Sequence, residues 1–267
     1  MSNNLSLDDK IKLIRNIAIV AHVDHGKTTL VDTLLQQSGT FAAHSQTVER
    51  VMDSNDLEKE RGITILSKNT GLKWKEFRIN IVDTPGHADF GGEVERVLSM
   101  VDSVLLLVDA VDGPMPQTGF VTKKALQAGL RPIVVINKVD RDGARPDWVL
   151  DQTFDLFDRL GADENQLDFP VVYASAIQGW ATEDMAKKTD NMDTIFQTII
   201  NNVASPDVNP EGDLQIQISA LSYSSYVGLI GTGRIRRGQV KKGQQVSIGS
   251  VDGTVRQGKV LQIMNFH

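Results

Sequence analysis

Residues 21–30 read AHVDHGKTTL, between the β-branched run NIAIVA (16–21) and an apolar-periodic stretch over 27–37. This segment narrows the possible folds more than any other. A Gly-Lys-Thr between a buried strand and a helix makes an anion cradle. The N–H groups of the first helical turn have no partners within the helix, and the helix dipole favours negative charge there. The spacing is that of a phosphate loop, with Ala21 where the regular pattern has its first Gly. In such a loop Lys27 reaches the β- and γ-phosphates of a nucleotide and Thr28 offers its hydroxyl to Mg²⁺. Asp24, His25, Gly26 and Thr29 complete the turn that wraps the phosphates. Leu30, Val31, Leu34 and Leu35 recur at three- and four-residue spacings, and Gly39 is placed to stop the helix.

The same alternation continues for two hundred residues. Short apolar runs at 79–82, 103–108, 132–136 and 171–174 read as buried strands. Helical patterns over 93–101, 117–128, 146–160 and 195–203 lie between and after them. In the third, Val149, Thr153, Leu156, Phe157 and Leu160 share a face, and Asp147 is the expected N-cap. Segments 161–166 and 180–193 read as polar surface loops or short helices. Strand–helix alternation of this kind predicts an α/β fold, a doubly wound and mostly parallel sheet. Past Ser205-Pro206 the pattern is strands only, at 214–222, 227–236, 244–248 and 255–264, separated by Gly-containing turns. That is the start of an antiparallel β-barrel. It stops at His267, before five strands have formed, which implies an incomplete barrel domain. The expected domains are therefore 1–204 and 205–267.

Composition agrees with a folded, non-membrane chain. Of 267 residues, 40% are hydrophobic and 23% charged, which is ordinary for a globular protein. The absence of cysteine excludes disulfide scaffolds, thiol nucleophiles and zinc–thiolate sites. No apolar stretch approaches the roughly 18 residues that span a bilayer, and the N-terminus lacks a signal-peptide core. A cytoplasmic protein is expected. The net charge of −6 argues against a generic basic nucleic-acid binder. The charge is uneven, however: Arg234, Arg236, Arg237, Lys241, Lys242, Arg256 and Lys259 outnumber the acids after residue 205.

Two further motifs follow strands. Asp83-Thr84-Pro85-Gly86-His87 ends the strand at 79–82. An Asp there can orient a water on Mg²⁺, and Gly86 lets its N–H approach a γ-phosphate. Asn137-Lys138-Val139-Asp140 follows the strand at 132–136. Its Asp140 carboxylate can accept from both N–H groups on the guanine edge. Adenine lacks that pair of donors and would leave the acid unpaired, at a cost of roughly 1–3 kcal/mol. Ser175-Ala176 after the next strand can present a backbone N–H to guanine O6. Three such elements, in order and each at a strand's carboxyl end, point to a guanine-nucleotide site; Asp140 counts against an ATPase.

With RGITI (61–65) and SAI (Ser175, Ala176, Ile177) added, these segments resemble the five guanine-nucleotide elements of the translational GTPase family. RVMDSNDLEKERGITI (50–65), GHADFGGEVERVLSMVDSVLLLVDAVDGPMPQT (86–118) and NKVDRDGARPDWV (137–149) resemble its bacterial BipA/TypA branch. The likeness is strong over 15–204 and continues through SYVGLIGTGRIRRGQVKKGQQV into that family's barrel domain. The resemblance implies GTP hydrolysis to GDP and phosphate, with Mg²⁺ as cofactor and a switch cycle coupled to the ribosome. It also implies a translation or ribosome-assembly factor, monomeric, and part of a longer protein with further domains. By the same resemblance Thr64 is the switch threonine that sees Mg²⁺ and the γ-phosphate. His87 is the residue that orients the attacking water, and Val23 and Ile63 form its apolar gate. Asp24 holds a monovalent cation, and Arg61 makes structural contacts.

Other prominent residues have plainer readings. Trp74, Trp148 and Trp180 are expected to pack. His22 and His25 lack partners at metal-ligand spacing. The basic residues after 233 suit either ribosomal RNA phosphates or a solvated barrel face. An alternative to an enzyme is a nucleotide-gated ribosome-assembly module with negligible turnover of its own.

Overall fold

The computed structural model describes residues 5–39, 69–84, 91–187 and 189–265. The chain divides into two units, one of residues 9–206 and the other of 207–265 with 5–8. Thr64, Ile63 and Arg61, and likewise Gly86 and His87, lie outside the described residues.

The first unit is built on a seven-stranded sheet. Its parallel centre comprises β1 (Ile14–Ala21), β3 (Phe77–Asp83), β4 (Ser103–Asp109), β5 (Arg131–Asn137) and β6 (Val171–Ser175). The spatial order is β2-β3-β1-β4-β5-β6-β7, so the chain crosses from one side of β1 to the other between β3 and β4. The edges are antiparallel: β2 (Asn69–Trp74) against β3, and β7 (Trp180–Thr182) against β6. Register aligns the carboxyl ends. Ile19 lies opposite Asp83, and Asp109 opposite Asn137, whose other neighbour is Ala174.

Both faces are covered, which is why β4 is apolar without alternation and buried along its whole length. On one face α2 (Lys27–Gln37) inserts Leu30, Val31, Leu34 and Leu35, joined by Ile195, Phe196 and Ile199 of α7 (Asp193–Asn202). The opposite face takes Val94 and Val97 of α3 (Gly91–Leu98), Val121 and Ala125 of α4 (Pro116–Gln127), and Val149 and Phe157 of α5 (Pro146–Arg159). Two short helices complete the set, α1 (Leu7–Lys12) and α6 (Glu164–Leu167).

Two expectations are corrected. Asp147 does not cap α5: Arg145 is the N-cap, without a side-chain bond, because Pro146 occupies the first helical position. Segment 180–193 is not all surface loop, since Trp180–Thr182 form a fully buried edge strand. Strand β2 went unread in the sequence, because no turn signal announces it. Its two-residue hairpin places Lys75 at φ 53, where Asn or Gly would ordinarily mark the turn.

In the second unit β8 (Gln215–Ser224) pairs with β9 (Gly228–Arg237), and β10 (Gln245–Gly249) with β11 (Val255–Lys259). These are two separate antiparallel hairpins, not yet a barrel wall. Among the described residues, no large hydrophobic side chain of 207–265 is buried.

Candidate guanine-nucleotide site

The carboxyl ends of β1, β3, β4, β5 and β6 lie along one edge of the sheet, where a doubly wound fold binds its ligands. The loop after β1 enters α2 through Gly26, at φ 91, a left-handed conformation that side chains with a Cβ rarely adopt. Space imposes the same choice. A Cβ on Gly26 would stand 2.6 Å from Asn137 Nδ2.

Asn137 is the knot of the site. Its Nδ2 donates to the His25 carbonyl at 2.9 Å, and its Oδ1 accepts from the Ala176 N–H at 3.0 Å. One buried amide thus ties the phosphate loop to the turn after β6. Thr33 of α2 adds a second tie, donating to the Ala176 carbonyl at 3.0 Å. Ala176's N–H is engaged inside the protein, so it is not wholly available to a ligand.

Lys27 Nζ lies 2.6 Å from Asp83 Oδ1 and donates to the Thr84 carbonyl at 2.9 Å. Asp83 is only 2% exposed, and Thr84 is fastened to β1 by a hydroxyl bond to the Ile19 carbonyl at 2.7 Å. The end of β3 and the first turn of α2 are therefore in direct contact. A carboxylate at that strand end and the Thr28 hydroxyl in the helix's first turn are hard oxygen donors of the kind that Mg²⁺ takes alongside phosphates and water. The residues present fit that ion.

His25 faces inward instead of toward a ligand. It is 2% exposed, and its Nδ1 lies 3.4 Å from the Leu107 carbonyl. Burial lowers its pKa, and nearby His22 and Lys138 push the same way against the Leu107 carbonyl and Asp109. His25 is a neutral packing group that serves the site through its backbone. Val23 is half-buried, whereas Asp24, Thr29 and Asp140 are exposed, as is Ile177 at 81%. Asp140 thus projects from the turn after β5 into solvent, where a base can reach it. Val139 anchors that turn by donating to the Ala174 carbonyl at 3.3 Å. Ser175 is buried, and its hydroxyl accepts from the Gln178 N–H at 3.3 Å.

One residue here escaped the sequence reading. Asp109, at the end of β4, is 0% exposed and pairs with Lys138. Burial alone would raise its pKa, yet bonds from Lys138 and from the Val111 and Asp112 N–H groups hold it below the usual carboxylate value. An Asp closing the apolar run of a central strand was the available signal. Of the tryptophans, Trp74 and Trp180 are buried in the core, while Trp148 lies at the surface under the Arg145 guanidinium, 3.9 Å from its ring centre.

Comparison with known proteins identifies the family and the fold. Residues 12–205 match the family described as the elongation factor Tu GTP binding domain. The chain is 66% identical over 254 residues to the large ribosomal subunit assembly factor BipA of Salmonella typhimurium and to that of Escherichia coli K12. The Haemophilus influenzae protein of the same name is 64% identical over 255 residues. In each case 95% of this chain is covered, but only 41–42% of the relative's length. A crystal structure of the bacterial selenocysteine-specific elongation factor EF-Sec superposes with a TM-score of 0.67 at 22% identity. It covers 90% of this chain and 37% of that one, a likeness of fold. Among the described residues, no helix is long and apolar enough to cross a membrane.

Proposed function

Because the chain belongs to the elongation factor Tu GTP-binding domain family, we propose that it binds GTP and GDP and hydrolyses GTP. The observation that supports this best is the Asn137 amide. It draws the phosphate loop, the turn carrying Asp140 and the Ser175–Ile177 turn to one sheet edge. Phosphates lie at Lys27 and the α2 N-terminus. Guanine is read by Asp140, with O6 at the backbone of the turn after β6, where Ala176's N–H is shared with Asn137 and Ile177 follows. Thr28 and Thr64 would hold Mg²⁺ directly and Asp83 through a water, and the ion would neutralise phosphate charge. Asp24 is the expected ligand of a monovalent cation beside it.

For hydrolysis, Lys27 stabilises charge on the transferring phosphate and His87 orients the attacking water. Gly86 presents an N–H to the γ-phosphate. GTP orders the segment around Thr64 and hydrolysis releases it, so the chain works as a switch. The relatives named for large-subunit assembly support a role on the ribosome; a monomer acting in the cytoplasm is part of the same proposal. On this reading the GTPase domain spans 1–204 and the barrel domain begins at 205.

The test is phosphate release from GTP and from ATP by the full-length protein, with and without large ribosomal subunits. GTP-selective turnover that the subunits stimulate is expected, and His87→Ala should abolish the stimulation with GTP affinity kept within a few-fold. Equal use of ATP, or stimulation undiminished in His87→Ala, would refute the assignment.

A further inference from the structure

Asp109 ends β4 with no exposed surface. Its Oδ1 accepts from the Val111 N–H at 2.8 Å and the Asp112 N–H at 3.3 Å, so the turn after β4 fixes the carboxylate. Its Oδ2 lies 2.6 Å from Lys138 Nζ, with the Arg141 guanidinium farther off at 3.9 Å. Lys138 Nζ also donates to the backbone carbonyl of Asp24. A single ammonium therefore joins three segments: the end of β4, the turn that carries Asp140, and the phosphate loop.

The backbone points to the same three-way contact. Among the described residues, the non-glycines at positive φ are Asp24 (64°), Lys75 (53°) and Lys138 (64°). Lys75 turns the β2–β3 hairpin. The other two are the residues that the Lys138 ammonium links. A left-handed backbone is strained for an L-residue and persists where its surroundings over-determine it. The long lysine stem loses rotamer entropy when it is held in one place. A carboxylate already locked by two N–H groups can hold the ammonium in one place, and a buried carboxylate that lost its cation would be strongly penalised.

We propose that Asp109 is a positioning residue for guanine-nucleotide binding, which by holding Lys138 fastens the base-reading turn to the phosphate loop. This rests on the nucleotide reading given above and adds to it a residue that touches no ligand. Loosening the clamp frees both ends of the nucleotide together. GDP and GTP should therefore dissociate faster by the same factor, with the preference for guanine over other bases unchanged.

The experiment is release of a fluorescent GDP and a fluorescent non-hydrolysable GTP analogue, followed by stopped flow. The proteins are wild type, Asp109→Asn, Lys138→Met and the double variant. Asp109→Ser is a second probe, since a serine oxygen can still accept from the turn N–H but cannot reach Lys138. Asp109→Asn and Asp109→Ser should each release both nucleotides about tenfold faster or more, and the double variant no faster than Lys138→Met. Wild-type release rates in whichever Asp109 variant folds would overturn the proposal. So would multiplication of the two effects in the double variant, because Asp109 would then not act through Lys138. Should neither Asp109 variant fold, Lys138→Met releasing nucleotide at the wild-type rate would overturn it as well. A wild-type chain that takes up no guanine nucleotide would refute the underlying reading instead.

Discussion

At Gly26 two constraints coincide, a φ of 91° and an amide nitrogen 2.6 Å from where a Cβ would sit. Gly26→Ala must therefore shift either the loop or Asn137, and with it the turn after β6. GDP affinity should fall at least tenfold, about 1.4 kcal/mol, in a calorimetric titration; an unchanged constant would mean that the loop relaxes freely. Asp140, exposed beside this knot, is open to a specificity swap. Asp140→Asn should weaken GTP binding and gain affinity for xanthosine triphosphate, whose 2-oxo group suits an amide donor. Unchanged GTP affinity would remove Asp140 from the base site. Asp109 has a pH signature. Its folded-state pKa lies below the ordinary 3.8, so its ionised form contributes stability above about pH 4, lost as pH falls through the folded value. Asp109→Asn should then melt well below wild type at pH 7, by about 2 kcal/mol. The gap should narrow toward pH 3, and a pH-independent gap would show that the carboxylate's charge is not what matters.

At the scale of elements, the two aspartates near α5 and α6 make a contrast. Asp163 closes α6 with a reciprocal capping box, its carboxylate accepting from the Gln166 N–H at 2.9 Å while Gln166 accepts from the Asp163 N–H. Asp147 only sits in the first turn of α5. Asp163→Ala should cost about 1 kcal/mol and Asp147→Ala less than 0.5 kcal/mol, measured by denaturant unfolding; the reverse order would contradict these helix starts. The misplaced cap shows where reading from sequence runs out. The five parallel strands and the helices between them were legible, because burial on both faces leaves apolar runs and covering helices leave a 3.6-residue period. The antiparallel edges were not. β7 is three residues long, too short for any period, and β2 turns on a lysine at positive φ, where no Gly or Asn marks the hairpin. In the site, Lys27, Asp83 and Asp140 stood out because motif spacing reports chemistry at strand ends. The inward roles of Asn137 and His25, and the Asp109–Lys138 pair, depend on which strands lie side by side, and local pattern does not report that.

Over the whole molecule, apolar burial is divided unequally. Among the described residues, the unit of residues 9–206 contains all the buried hydrophobic side chains, whereas β8–β11 carry none. Hydrogen exchange should follow this division: amides of β1, β4 and β5 should resist to the global unfolding limit, and those of β10 and β11 should exchange orders of magnitude faster. Equal protection would indicate a stabilising contact beyond those described. Strand β4 stands at the other extreme. Leu105 and Leu107 enter one apolar cluster, while Val104, Leu106 and Val108 enter the other, so the strand is a wall shared by two rooms. In a map of tolerated substitutions, β9 should show the every-other-residue rhythm of a strand with one open side. β4 should show no rhythm at all, because each of its side chains faces an occupied room and the strand has no position where variation can accumulate unnoticed.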